Sequence, residues 1–364
     1  MILRGKTVVY GGGSWGTALA NLLAQASSCT VRRTGEGTGD DTENGAYGAM
    51  GLRQDVILLV RDPKQAEAIN REHENSRYLP GEKLSPGVRA VVASSPEGVD
   101  ALAQTGLLVL SVPCQVMRGV LESLRGALSA DCVLVNTAKG IETRDLVTGE
   151  QMVATALPEA LERFAVLSGP SFALEVIRGK PTAVVLGCRS ETLGAALRNV
   201  FYTPRFRAYS STDVTGVELG GAVKNIIAIA AGISDGLGFG LNTRAALVTR
   251  GLAEISRLGL AMNARQSTFM GLSGMGDLLL TCSGDLSRNR QVGLRLGRGE
   301  SLQHITDSLH MVAEGVKTTD AVYRLARSRG VDMPVTSAMH AVLYEGLNPV
   351  EAVETLMNRA LREE

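Results

Sequence analysis

Aromatic residues are scarce, at 4% with a single Trp, and cysteine occurs at only five widely spaced positions: Cys29, Cys114, Cys132, Cys188 and Cys282. An odd number with no CxxC pair argues against a zinc ribbon and a disulfide framework. It predicts free thiols in a reducing cytoplasm. Neither sign of charge is in excess, since 37 Lys plus Arg balance 37 Asp plus Glu, so a chain-wide basic footprint for nucleic acid is excluded. The four His (His73, His304, His310, His340) are scattered without metal-ligand spacing. HExxH and a GxSxG elbow are also missing, so neither a metal site nor a serine nucleophile is expected.

Long apolar runs are missing too. No stretch reaches the roughly 18–20 apolar residues that span a bilayer. The most apolar candidate, near 214–234, carries Glu218 and Lys224 and reads as a core helix. Arg4 and Lys6 precede an uncharged stretch, Thr7 to Val31, that imitates a secretory leader. Gly11, Gly12 and Gly13 interrupt it before the roughly 7–15 apolar residues a leader needs, so no leader is expected. What the chain does have is glycine, 42 of 364 residues without a Gly-X-Y period, which points to tight turns and close backbone approaches. The length suits two domains, each with its own core.

The first half alternates short apolar runs with helical patterns. The runs are Thr7–Tyr10, Val56–Val60, Val88–Ala93, Leu107–Val112, Cys132–Val135, Ala165–Leu167 and Ala183–Leu186. Continuous rather than alternating runs predict strands buried on both faces, and the helices between them predict βαβ units. Composition changes near 210–213. Beyond it only helical patterns follow, around 214–234, 243–258, 288–297, 315–329, 335–345 and 349–362. The expected fold class is α/β. A Rossmann-like, doubly wound, mostly parallel sheet occupies residues 1–210, and an all-helical domain occupies 211–364. A segment from about 26 to 54 is rich in Gly, Thr, Asp and Glu and lacks apolar periodicity. It reads as an inserted loop, at the end of the sheet away from the ligand crevice.

The run Thr7–Tyr10 leads into Gly11-Gly12-Gly13-Ser14-Trp15-Gly16 and then a helical pattern. This is GxGxxG in the strand–turn–helix setting that binds dinucleotides. Gly11 makes the tight turn, Gly13 admits a pyrophosphate to backbone N–H groups, and Gly16 lets helix and strand pack closely. Trp15 lies inside that turn, beside the expected cofactor. The second strand ends in Arg61 rather than an acid, which suits the 2′-phosphate of NADPH, with NADH as the other candidate.

Lys224 sits among Val217, Leu219, Ala222, Val223, Ile226, Ile227, Ile229 and Ala230. A helix apolar nearly all round is buried, and a buried ammonium needs a partner or a function. The residue pattern leaves both open. Lys139 follows the strand Cys132–Val135, and Gly169 and Ser171 follow the next strand, all at carboxyl ends where α/β crevices bind ligands. Ser171 also reads as a helix N-cap. Asp277 can hydrogen-bond a substrate hydroxyl, pair with Lys224, or both. Ser287-Arg288-Asn289-Arg290 reads as a helix start, which is either a phosphate site or a solvated basic turn.

Several stretches, in order along nearly the whole chain, together resemble the bacterial-type NAD(P)-dependent glycerol-3-phosphate dehydrogenase family. They are GGGSWGTALA (11–20), HEN with RYLPG (73–81), SVP (111–113), AKGIE (138–142), SGPSFALEVIRGKPTA (168–183) and GVELGGAVKNIIAIAAGISDGLG (216–238). The series continues with NTRAALVTRGL (242–252), GLSGMGDLLLTC (271–282), SRNRQVG (287–293) and VAEGVKT (312–318). The departures are the inserted segment, Gly12 where Ala is common, and Ala138 where Thr is common.

The resemblance implies reversible hydride transfer between NADPH or NADH and dihydroxyacetone phosphate. The product, sn-glycerol 3-phosphate, would supply glycerophospholipid synthesis, and a homodimer is the family expectation. Lys224 becomes the catalytic general acid and base, with Asn225 beside it. Substrate contacts fall on Lys139, Gly169, Ser171, Lys224, Asp277, Ser287, Arg288 and Asn289, with the phosphate chiefly on Arg288 and Asn289. Cofactor contacts fall on Gly11, Gly13, Ser14, Trp15, Gly16, Arg61, Tyr78, Lys139, Ala173, Arg288, Val312 and Glu314. Without the resemblance Glu314 reads as a surface residue. Two other readings fit the same architecture: a dehydrogenase of 3-hydroxy or sugar acids, against which the SRNR turn argues, and a silent NAD(P)-binding sensor.

Overall fold

The computed structural model describes residues 5–29, 56–308 and 313–357. Its first half is strand–helix alternation. Strand β1 (Lys6–Tyr10) feeds α1 (Ser14–Cys29), β2 (Val56–Val60) feeds α2 (Pro63–Glu72), and β3 (Val88–Val92) feeds α3 (Pro96–Ala103). Then come β4 (Thr105–Leu110), α4 (Cys114–Leu124), β5 (Val133–Asn136), α5 (Gly149–Ala156), β6 (Phe164–Ser168) and α6 (Ala173–Ile177). The half ends with β7 (Thr182–Gly187), α7 (Glu191–Val200) and β8 (Phe206–Ser211).

The eight strands form one sheet in the order β3-β2-β1-β4-β5-β6-β7-β8. All pairings are parallel except β6 with β7. The order reverses between β1 and β4, so the switch point lies where the glycine turn leaves β1. Alternation along β1 sends Val9 to the core under α1, α2 and α7 and Val8 to the opposite core under α3, α4 and α5. A sheet covered on both faces explains the continuous apolar runs.

One boundary and one strand differ from expectation. Helix α1 continues to Cys29, past Ala26 where the unusual composition begins. The rest of that segment lies outside the described residues. Strand β8 was not expected. It is an edge strand whose residues alternate buried and exposed, so it lacks the continuous apolar run of the other strands.

The second half is helical. It comprises α8 (Val214–Gly236), α9 (Gly240–Ala261), α10 (Gln266–Phe269), α11 (Asp277–Ser283) and α12 (Arg288–Gly297). It continues with α13 (Leu302–Ser308), α14 (Glu314–Ser328), α15 (Pro334–Tyr344) and α16 (Pro349–Met357). Helices α10, α11 and α13 were not expected, because elements this short carry no readable period. Helix α8 is long and apolar enough to cross a membrane, yet its apolar stretch is wholly buried inside the protein. It is the axis of the helical core, which wraps it on every side. Glycines let α12 lie directly on it. A Cβ on Gly232 would meet Arg290 O at 2.1 Å, and one on Gly293 would meet Ile229 O at 1.9 Å. That contact carries the first turn of α12 to the middle of α8. Cys114, Cys132, Cys188 and Cys282 are free and buried.

Candidate active site

The turn after β1 has the shape its glycines predict. Gly11 takes φ +120°, and its N–H donates to Leu59 O at 2.9 Å. A Cβ on Gly16 would sit 2.0 Å from Gly11 O, whereas a Cβ on Gly13 would meet nothing within 4 Å. Gly11 and Gly16 are therefore required by the protein's own backbone. Gly13 instead lines open space at the N-terminus of α1, and this cradle fits the pyrophosphate of a dinucleotide. The turn is pinned from outside: Gln65 Nε2 and Asn75 Nδ2 donate to Gly12 O at 2.7 and 3.0 Å. Asn75 also reaches Thr17 Oγ1 at 2.7 Å. Neither Gln65 nor Asn75 carries a local sequence signal for this role. Ser14 Oγ donates to Tyr78 O at 3.1 Å, bringing the RYLPG stretch over the turn. The Nε1 of Trp15 is buried and has no protein acceptor. Arg61 stands exposed at the carboxyl end of β2, just before Asp62, which caps α2.

Two strands along, roughly 10 Å away by strand spacing, lies the second cluster. It gathers residues from four places. The turn after β5 supplies Lys139, and the turn after β6 supplies Gly169 and Ser171. Lys224 comes from α8 and Asp277 from the head of α11. Lys139 Nζ donates to Asp277 Oδ2 at 2.7 Å and to Gly169 O at 3.1 Å. Lys224 Nζ donates to Asp277 Oδ1, and to Thr281 Oγ1 at 2.9 Å. Ser171 Oγ donates to Gly169 O at 3.0 Å. It does not cap a helix, since the N-cap of α6 is Phe172. Ala173 opens α6 beside this turn.

Lys224 is 5% exposed and Asp277 1%. Burial pulls the Lys224 ammonium down to about 7, opposed by the Asp277 carboxylate and reinforced by the Lys139 ammonium. A lysine poised there can hold or release a proton at neutral pH. Asp277 is presented by a wide π-helical turn, Leu272–Gly276. Thr281, four residues on, was not among the expected site residues. Its signal was its place one turn after Asp277 on the same helix face.

The start of α12 adjoins this cluster. Ser287 caps the helix, its Oγ accepting Arg290 N–H at 3.3 Å. Asn289 Nδ2 donates to Asn225 Oδ1 at 2.9 Å, and Asn225 Nδ2 reaches toward Lys139 O at 3.5 Å. Arg288 is exposed on the first turn. A guanidinium at a helix N-terminus is the chemistry of a phosphate site. Arg290 is committed to structure through Asp235 and Asp285 at 2.7 and 2.8 Å.

Glu314 is not a surface carboxylate. Its Oε1 accepts the N–H of Cys114 at 2.9 Å, tying α14 to the head of α4. Burial raises its pKa, opposed by that hydrogen bond and by the nearby charges of Arg288 and Lys139. It lies close to Lys139 of the second cluster and to Arg288. Val312 lies outside the described residues.

Residues 6–194 match a family described as NAD-dependent glycerol-3-phosphate dehydrogenase N-terminus, and residues 213–354 match its C-terminus. The glycerol-3-phosphate dehydrogenase (NAD(P)+) of Nitratidesulfovibrio vulgaris is 56% identical over 359 residues, covering 99% of this chain and 100% of the relative. That of Lawsonia intracellularis is 55% identical over 361 residues, covering 98% and 94%. Among solved structures, glycerol-3-phosphate dehydrogenase from Coxiella burnetii superposes with a TM-score of 0.85 at 34% identity, covering 98% of this chain and 100% of that one.

Proposed function

The chain belongs to the NAD-dependent glycerol-3-phosphate dehydrogenase family, and from that premise we propose how its residues carry the reaction. It is an NAD(P)-dependent oxidoreductase using NADH or NADPH. When bound, the nicotinamide nucleotide supplies the hydride that reduces the carbonyl carbon of dihydroxyacetone phosphate. Lys224 gives a proton to the carbonyl oxygen as negative charge develops there, and takes one from the hydroxyl in the reverse direction. Asp277 and Thr281 fix the Lys224 side chain, while Lys139 and Ser171 contact the substrate oxygens. Arg288, Asn289 and the Ser287-capped helix start hold the substrate phosphate. Gly11, Gly13, Ser14, Trp15, Gly16, Arg61, Tyr78, Ala173, Val312 and Glu314 hold the nucleotide, together with Lys139 and Arg288.

The carrying observation is a buried lysine paired with Asp277 at the carboxyl ends of the parallel strands, its proton affinity brought near neutrality. We divide the chain near residue 210 into a nucleotide half and a substrate half; β8 ends at Ser211 and α8 starts at Val214, so the connection between them is residues 212–213. We further read the enzyme as a cytoplasmic homodimer whose product supplies glycerophospholipid synthesis. The free, buried cysteines accord with a reducing compartment.

The test is steady-state oxidation of NADPH and of NADH with dihydroxyacetone phosphate, run beside unphosphorylated dihydroxyacetone and a 3-oxo acid. Turnover confined to the phosphorylated ketone is expected. Equal turnover of the unphosphorylated compounds would contradict the phosphate site.

A further inference from the structure

Six residues before Lys224 on α8 lies a second charged side chain, Glu218, only 6% exposed. The chemistry above assigns it nothing. Its Oε1 accepts the N–H of Glu150, on the first turn of α5, at 2.9 Å. The amide of Asn136 lies beside the same carboxyl. A Cβ on Gly149 would touch both, at 2.4 Å from Asn136 Nδ2 and 2.7 Å from Glu218 Oε1.

Asn136 closes β5, and its Oδ1 accepts the N–H of Ala138 at 2.9 Å. Ala138 is the residue before Lys139. A chain of contacts therefore runs from Glu218 through the Asn136 amide to the backbone that presents Lys139. Asn225, seven residues after Glu218 and so on the same face of α8, reaches toward the carbonyl of Lys139 at 3.5 Å. One helix thus carries Lys224 and also braces the turn of Lys139 at two points.

Among the described residues Glu218 pairs with no Lys or Arg. The charged or titratable groups facing it are Glu150 of α5, itself paired with Arg189 at 2.8 Å, and Cys114 of α4, whose thiol burial holds protonated. Burial pushes the Glu218 carboxyl up to about 8, against hydrogen bonds from Thr148 and Asn136, with the Glu150 charge adding to the rise. The neutral acid fits this pocket. A buried carboxylate with no paired cation would draw in water or move, and the Asn136 amide would move with it.

We propose that Glu218 is a positioning residue, acting through Asn136 to set the turn that presents the Lys139 ammonium to the site. Loss of the neutral carboxyl loosens that turn and weakens catalysis without touching substrate or nucleotide. The inference rests on the reading of Lys139 as a substrate contact.

Glu218→Gln keeps the shape and the neutral state while removing the ionisation. Its kcat/KM for dihydroxyacetone phosphate is compared with the unaltered enzyme from about pH 6.5 to 9.5. Lys224 titrates in both proteins and cancels in the ratio. The expected ratio of variant to unaltered enzyme is near one at pH 7. It rises to about tenfold above pH 8 as the unaltered enzyme alone loses activity, a size typical of residues that orient a contacting group. A ratio flat across this range overturns the inference.

Should Glu218→Gln fail to fold, Asn136→Ala cuts the same link and leaves the carboxyl in place. It is expected to lower kcat/KM about tenfold at pH 7 and to lose the additional step near pH 8. A retained step overturns the link. Lys139→Ala separates the two failures. Full activity in that variant sinks the reading of the site itself. A large loss there, with a flat ratio for Glu218→Gln, sinks only the role of Glu218.

Discussion

Lys224 on α8 and Asp277 at the head of α11 meet in the protein interior, and the second oxygen of that carboxylate is taken by Lys139 at 2.7 Å. Two ammonium groups share one carboxylate, and one of them, Lys224, is almost fully buried. The arrangement favours release of the Lys224 proton, because burial and the Lys139 charge both work against its charged form.

The two directions of the reaction should therefore have opposite pH dependence. Reduction needs the Lys224 ammonium and is expected to fall as pH rises through about 7, while oxidation needs the free amine and falls as pH drops through the same value. Stability follows with a fixed sign. The folded-state value lies below the ordinary 10.5, so between about 7 and 10.5 the unfolded chain binds the extra proton and this group makes stability rise with pH. Initial rates in both directions, with thermal melts over the same range, check this. Parallel pH profiles for the two directions would remove Lys224 from the proton transfer.

The glycine turn gives a paired prediction. Gly13→Ala places its methyl in open space, so the protein should fold normally and lose nucleotide affinity. Gly16→Ala drives a methyl to 2.0 Å from Gly11 O and should lower the melting temperature as well as affinity. Nucleotide titration and thermal unfolding of both variants distinguish them. An unchanged affinity in Gly13→Ala would move the pyrophosphate elsewhere.

Arg288→Ala should raise KM for dihydroxyacetone phosphate by roughly 10–100-fold, the range expected for a hydrogen bond to a charged group. Steady-state kinetics with the phosphorylated ketone measure it, and an unaltered KM would show that the phosphate binds away from α12.

Arg61→Ala should weaken NADPH with little effect on NADH, since only the former carries the 2′-phosphate that Arg61 would meet. Equal losses for the two nucleotides would mean that Arg61 does not discriminate between them.

Much of the fold was readable because a doubly covered sheet forces continuous apolar strands, as in Val56–Val60, every residue of which is buried. Strand β8 escaped because an edge strand alternates, and α10, α11 and α13 escaped because they are too short to show a period. Lys224 was visible as a charge inside an apolar helix. Its partnership with Asp277 remained one of several open possibilities, and the meeting of Lys139 with Asp277, 138 residues apart, has no local signature at all. Glu314 misled for the same reason. Its partner, the Cys114 N–H, lies 200 residues away, so only the packed structure turns a surface-like acid into a clasp between α14 and α4.

The most direct measurement is the rate of dihydroxyacetone phosphate reduction by Lys224→Ala, with NADPH affinity determined on the same preparation. Removal of a general acid should cost about 10²–10⁴-fold in kcat while nucleotide binding stays intact. Near-normal reduction by a variant that still binds NADPH would contradict the account.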